Sequence, residues 1–125
     1  MNVVANTGRL RLRRYSEADA GLLIAALEPR LRAIVLTAGG LSTGSEPGET
    51  DPLNFAPRVT APLLLIAGRD DFRNPLEQSQ KPLMRLLGSK QKRHYVFEGG
   101  HVPPRQQEVI RETLDWFDRY LGPVR

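Results

Sequence analysis

Five consecutive apolar residues, Leu63-Leu64-Leu65-Ile66-Ala67, stand between Pro62 and the abruptly polar Gly68-Arg69-Asp70-Asp71. A run this short is too brief for a buried helix and lacks the alternation of a strand with one wet face. It reads as a strand covered on both sides, which is the habit of parallel sheets. Ligands of open α/β sheets bind beyond the carboxyl ends of the strands, so Asp70 and Asp71 fall where chemistry is expected. A second run, Tyr95-Val96-Phe97, ends in Glu98-Gly99-Gly100-His101. If the two strands are neighbours, an acid and an imidazole share one sheet edge.

The remaining chain supplies helices for both faces. Ser16 can cap a helix with Asp19 as its capping-box acid, and the stretch from Ala18 to Glu28 is rich in Ala and Leu before Pro29 ends it. The segment from Leu31 to Ala38 predicts another buried strand, closed by Gly39-Gly40. A long irregular connection follows from Leu41 to Arg58, where Gly44, Pro47, Gly48 and Pro52 oppose regular structure. Leu76, Leu83, Leu86 and Leu87 mark a helix between Pro75 and Gly88, and Pro82 predicts that it restarts near Gln80 or kinks there. The third strand runs from about His94 to Glu98, with His94 expected to be an exposed strand-start residue.

In the final helix, introduced by Pro103-Pro104, the residues Val109, Ile110, Thr113, Leu114, Phe117 and Leu121 recur at helical spacing. Asp115 and Arg119 form a pair on its wet side, and Trp116 fits the apolar face imperfectly. Residues 1–15 carry only a weak alternation and read as an irregular Arg-rich segment, either an edge strand or a loose tail. Residues 16–125 then form one domain. Helices alternating with strands predict right-handed crossovers and parallel pairing. The expected fold is α/β, a three-layer sandwich with a short, mostly parallel sheet.

Composition excludes several classes of function. With no cysteine among 125 residues there is neither a disulfide framework nor a thiolate site. The net charge of +4 gathers at Arg9, Arg11, Arg13 and Arg14 and at Lys90, Lys92 and Arg93. No aromatic residues interleave these clusters, so they read as solvated faces and not as a nucleic-acid footprint. His94 and His101 are the two histidines, at no ligand spacing, and neither a metal nor another cofactor is expected. No apolar run reaches membrane-spanning length and residues 1–14 lack a signal-peptide core, which makes the cytoplasm the expected location.

The motifs together resemble a known family. Gly68-Arg69-Asp70-Asp71-Phe72-Arg73-Asn74-Pro75 is similar to the G-x-x-D-x-x-x-P turn after the penultimate strand of α/β-hydrolases, and Glu98-Gly99-Gly100-His101 to the turn after their last strand. The likeness continues through Asp51-Pro52-Leu53-Asn54-Phe55-Ala56-Pro57 and the end of the final helix, Leu114 to Pro123. It is that of the C-terminal part of dienelactone-hydrolase or prolyl-oligopeptidase-type esterases. The resemblance implies Asp71 as the acid and His101 as the base of a catalytic triad. Adjacent residues at a strand end point in opposite directions, so only one aspartate can face His101. The three-residue offset from Gly68 favours Asp71, leaving Asp70 a solvated turn carboxylate.

The family's nucleophile sits in a G-x-S-x-G elbow between strand and helix. Gly40-Leu41-Ser42-Thr43-Gly44 matches the letters, but Ser45-Glu46-Pro47-Gly48 cannot begin the required helix. Position points to Ser16 in Arg14-Tyr15-Ser16-Glu17-Ala18, where Arg14 and Ala18 replace both glycines and a helix cap is the simpler account of the serine. Ser79 and Ser89 lie on the helical side. The first half of the family's sheet and its oxyanion loop have no counterpart here. The resemblance therefore implies a serine hydrolase of ester or related acyl bonds by ancestry, as a truncated lobe with weak or no activity alone. The alternative is a non-catalytic binding or assembly module. Expected partners are a small ester or acyl substrate and a homo-oligomeric or complementing chain.

Overall fold

The computed structural model describes residues 3–7, 10–13, 17–41 and 51–123. The elements are β1 (Val3–Thr7), β2 (Leu10–Arg13), α1 (Glu17–Leu27), β3 (Ile34–Thr37), α2 (Pro52–Phe55), β4 (Leu63–Gly68), α3 (Lys81–Leu86), β5 (Lys92–Phe97) and α4 (Gln106–Leu121). β3, β4 and β5 form a parallel sheet with β4 in the centre, while β1 and β2 pair antiparallel by themselves with Thr7 opposite Leu10. The alternation read in the Arg-rich start thus carries a strand, but its partner is β1. The boundary expected between residues 15 and 16 lies outside the described residues, as do Ser16 and Ser42.

All six residues of β4 are buried, as a central parallel strand requires. Period-2 side-chain direction divides them between two cores. Leu63, Leu65 and Ala67 pack with Leu22 and Ala25 of α1 and with Leu83 and Leu87. Leu64 and Ile66 pack with Phe97 and Trp116 of α4. Helices on both faces of the sheet complete three layers. Each fully enclosed leucine contributes about 1.5–3 kcal/mol over its exposed state.

Two local outcomes follow from sequence chemistry. Pro82 has no N–H to give the fourth residue before it. The chain accommodates this with a wide turn over Leu76–Gln80, whose closing bond runs from the Lys81 N–H to the Leu76 carbonyl, and α3 starts beyond it. In α4 the expected apolar face is displaced. Trp116 is buried against Leu64, Ile66 and Phe97, with Val109, Phe117 and Tyr120 beside it, whereas Ile110, Leu114 and Leu121 are exposed. The large indole has more surface to remove from water than any aliphatic neighbour, and it sets the helix rotation. Glu112 comes to the buried face as a result, its Oε2 2.7 Å from the Arg93 guanidinium.

Candidate active site

The ends of β4 and β5 are joined backbone to backbone. The Arg69 N–H donates to the Phe97 carbonyl and the Asp70 N–H to the Gly99 carbonyl, each at 2.9 Å. A side chain at position 68 is impossible in this arrangement, because a Cβ there would fall 2.0 Å from the Gly100 oxygen. Gly99 has φ of 140°, a conformation open mainly to glycine. The glycines in the two turns therefore let the acid-bearing and imidazole-bearing segments touch.

Asp71 is delivered into this junction with its carboxylate fully enclosed. Its Oδ1 accepts from the backbone N–H groups of Arg73 (2.9 Å) and Asn74 (3.2 Å), and its Oδ2 lies 2.9 Å from Nδ1 of His101. Burial pushes the Asp71 carboxyl upward, but hydrogen bonds from His101, Asn74 and Arg73 outweigh it and hold the group below its ordinary range. A carboxylate can only accept, so Nδ1 carries the proton and Nε2 is left with its lone pair. The His101 side chain is 31% exposed, which leaves the imidazole reachable from solvent. The pair can accept a proton at Nε2 and stabilise the resulting imidazolium. Asp70 is exposed in the turn, as expected of the aspartate that faces away.

Two exposed apolar residues adjoin the imidazole, one in space and one in sequence. Phe72 is 77% exposed with its ring centroid 6.5 Å from that of His101, and Val102 is 72% exposed next to it in sequence. A separate groove of about 480 Å³ lies between β5 and the start of α4, lined by Tyr95, Glu98, Pro103 and Glu108 among others, and includes neither Asp71 nor His101. The Asp–His pair therefore lies outside this concavity.

A second set of bonds braces the acid turn, and sequence reasoning missed it. Gln80 is fully buried, and its Nε2 donates to the carbonyls of both Gly68 and Asn74 at 2.7 Å, spanning the turn that holds Asp71. With both amide protons committed, Oε1 accepts from Nε2 of His94 at 2.9 Å. His94 is thus half-buried and bonded, correcting the expectation of an exposed strand-start residue. Burial, aided by the charge of Lys81, holds its pKa below the usual imidazole value. A usable signal was present: Gln80 lies four residues after Leu76 and three before Leu83, on the apolar face of its helical segment.

Asn74 and Ser79 tie the same turn to the end of β3. Asn74 Nδ2 donates to the Ala38 carbonyl and Ser79 Oγ to the Leu41 carbonyl, both at 2.9 Å. Ala38 is held at φ of 56°, an uncommon left-handed conformation for alanine, by this bond and by its own N–H to the Ile66 carbonyl. Ser79 and Ser89 both donate their hydroxyls to backbone carbonyls, and neither bonds to Asp71 or His101. Among the described residues no group of three or more His, Asp or Glu side chains could hold a metal ion, and no helix is long and apolar enough to cross a membrane.

Comparison with known proteins agrees with this fold. Residues 9–113 match the profile of a family described as "Serine hydrolase (FSH1)". A cold-adapted esterase from an Arctic intertidal metagenomic library is similar in structure, with a TM-score of 0.68 and 31% identity over 81% of this chain and 44% of its own. A protein described as a dienelactone hydrolase from Klebsiella pneumoniae shares the fold at a TM-score of 0.66 and 22% identity, over 82% of this chain and 48% of its own. The chain thus spans less than half the length of either protein. Among curated protein sequences none matches it.

Proposed function

The chain belongs to the FSH1 serine hydrolase family, and on that premise we propose that Asp71 and His101 are the acid and base of a serine hydrolase acting on esters or related acyl bonds. The observation that carries this reading is the 2.9 Å contact between Asp71 Oδ2 and His101 Nδ1. His101 Nε2 takes the proton of a serine hydroxyl as its oxygen attacks the acyl carbon, then returns that proton to the leaving alcohol. Asp71 holds the imidazole in the required tautomer and stabilises its charged form in between. Phe72, exposed beside the imidazole, suits an apolar group on the substrate.

Ser16 is the candidate nucleophile by its place ahead of α1, and Ser42 is the competitor by its glycine spacing. The chain alone is proposed to be a lobe with weak or no turnover, a reading supported by its covering 44% of the esterase. Loss of oxyanion-hole donors by itself removes ~10²–10³ in rate. The test is p-nitrophenyl acetate hydrolysis with fluorophosphonate labelling and mass-spectrometric mapping, comparing wild type with Ser16→Ala, Ser42→Ala and His101→Ala. Labelling of one serine, lost with that serine and dependent on His101, establishes a working hydrolase. A folded chain that is neither labelled nor active in a His101-dependent way defeats the stand-alone enzyme and favours a binding or assembly module.

A further inference from the structure

α4 carries two apolar stripes and uses only one of them against the sheet. Trp116 and its neighbours face the core, while Ile110, Leu114 and Leu121 are 54–56% exposed, with Phe117 half-buried at the boundary. Along the helix the outer residues follow spacings of four, three and four, the seam pattern of a helix that packs lengthwise against another. Over so short a length, the mismatch between this repeat and the helical period is small.

We propose that this stripe is a homodimer interface, in which α4 of one chain packs antiparallel against α4 of a second copy about a two-fold axis. In that register Ile110 meets Leu121 of the second copy, and Leu114 meets its Phe117. A two-fold contact must be self-complementary, and this seam is, because each residue finds its match on the same helix reversed. Charge selects the direction. Arg111 follows Ile110 and Asp118 follows Phe117, so the antiparallel register brings Arg111 beside Asp118 of the second copy, twice per dimer. A parallel pair would instead set Arg111 near Gln106 and Asp118 near Thr113, with no opposite charges. Arg111 is exposed and its nearest acid, Glu112, is 3.9 Å away, which leaves the guanidinium open to a better partner. Apolar burial supplies the affinity and the exposed charge pairs supply the register. The contact is small by the standard of stable complexes, so a micromolar dissociation constant is expected. This inference is independent of the catalytic reading.

Sedimentation equilibrium of the full chain, from low micromolar to near millimolar, should show a monomer–dimer equilibrium. Leu114→Lys, at an exposed position, should raise the dissociation constant at least about tenfold while leaving the thermal melt in place. Arg111→Asp and Asp118→Arg should each weaken self-association, because each sets like charges together. Mixed, the two variants should form a heterodimer, in which both pairs are opposite again. A chain monomeric at every concentration, a dimer indifferent to Leu114→Lys, or charge variants that pair with themselves as well as with each other would overturn the proposal.

Discussion

His101 Nδ1 lies 2.9 Å from Asp71 Oδ2, a contact between residues thirty positions apart in which the carboxylate is enclosed and the imidazole is partly open. The acid is held from behind by two backbone N–H groups, so its orientation does not depend on the histidine alone. Replacing Asp71 by Ala should remove the far-downfield imidazole N–H resonance that such a bond produces in proton NMR, without unfolding the chain. Where turnover is measurable, Asp71→Asn should lower it by roughly 10⁴. An unchanged resonance in the alanine variant would separate the two residues.

Stability should depend on acid pH through the same carboxylate. The folded-state pKa of Asp71 is depressed, because the hydrogen bonds from His101, Asn74 and Arg73 outweigh burial. A depressed value means that its stabilisation is fully present above the unfolded value of ~3.9 and is lost as pH falls through the folded value. Urea midpoints taken from about pH 6 to about pH 3 should fall more steeply for wild type than for Asp71→Asn. Parallel profiles would show that Asp71 contributes nothing to acid sensitivity.

Gln80→Leu keeps the volume and the burial but takes the Nε2 donor from the Gly68 and Asn74 carbonyls, the first of which keeps only a long 3.4 Å bond from the Asp71 N–H. A stranded buried acceptor costs about 1–3 kcal/mol, so with the Gly68 carbonyl still weakly bonded a loss of at least about 1–3 kcal/mol is expected in urea denaturation. The imidazole N–H resonance of His101 should broaden or vanish in the same variant, because the turn carrying Asp71 loses its brace. Stability equal to wild type, with the resonance intact, would reduce Gln80 to a space filler.

Gly68→Ala places a methyl group against the backbone oxygens of Gly99 and Gly100. Backbone cannot yield as a flexible side chain can, and a cost of about 3 kcal/mol or more follows, with β4 and β5 forced apart at their ends. Thermal melts of this variant beside Gly88→Ala would not discriminate, since position 88 is also crowded by the Pro57 carbonyl. A better control is an alanine at Gly122, where nothing lies within 4 Å of the added carbon. Its φ of 85° still carries the conformational cost of a left-handed residue, which serves as the baseline for strain without a clash.

Much of this arrangement is written in the sequence. An apolar run without alternation announced the central strand at Leu63–Gly68, and the glycine-rich ends of two strands announced where Asp71 and His101 would meet. These features are local: strand burial and turn chemistry are written in neighbouring residues. The rotation of α4 was not local. Ile110, Leu114 and Leu121 have the apolar character and spacing of a core face, yet Trp116 displaces them because Leu64, Ile66 and Phe97 offer it a site that exists only once the sheet has formed.

The sequence by itself determined the α/β class, the position of the acid and imidazole at the strand ends, and the break at Pro82, since each rests on backbone preference or on short-range patterning. Tertiary structure alone decided that Gln80 spans the acid turn, that His94 turns inward to Gln80, and that one apolar stripe of α4 stays exposed. A buried amide or imidazole is placed by partners distant in sequence, and which carbonyls are left needing a donor is settled only when β4, β5 and the Leu76–Gln80 turn have packed together.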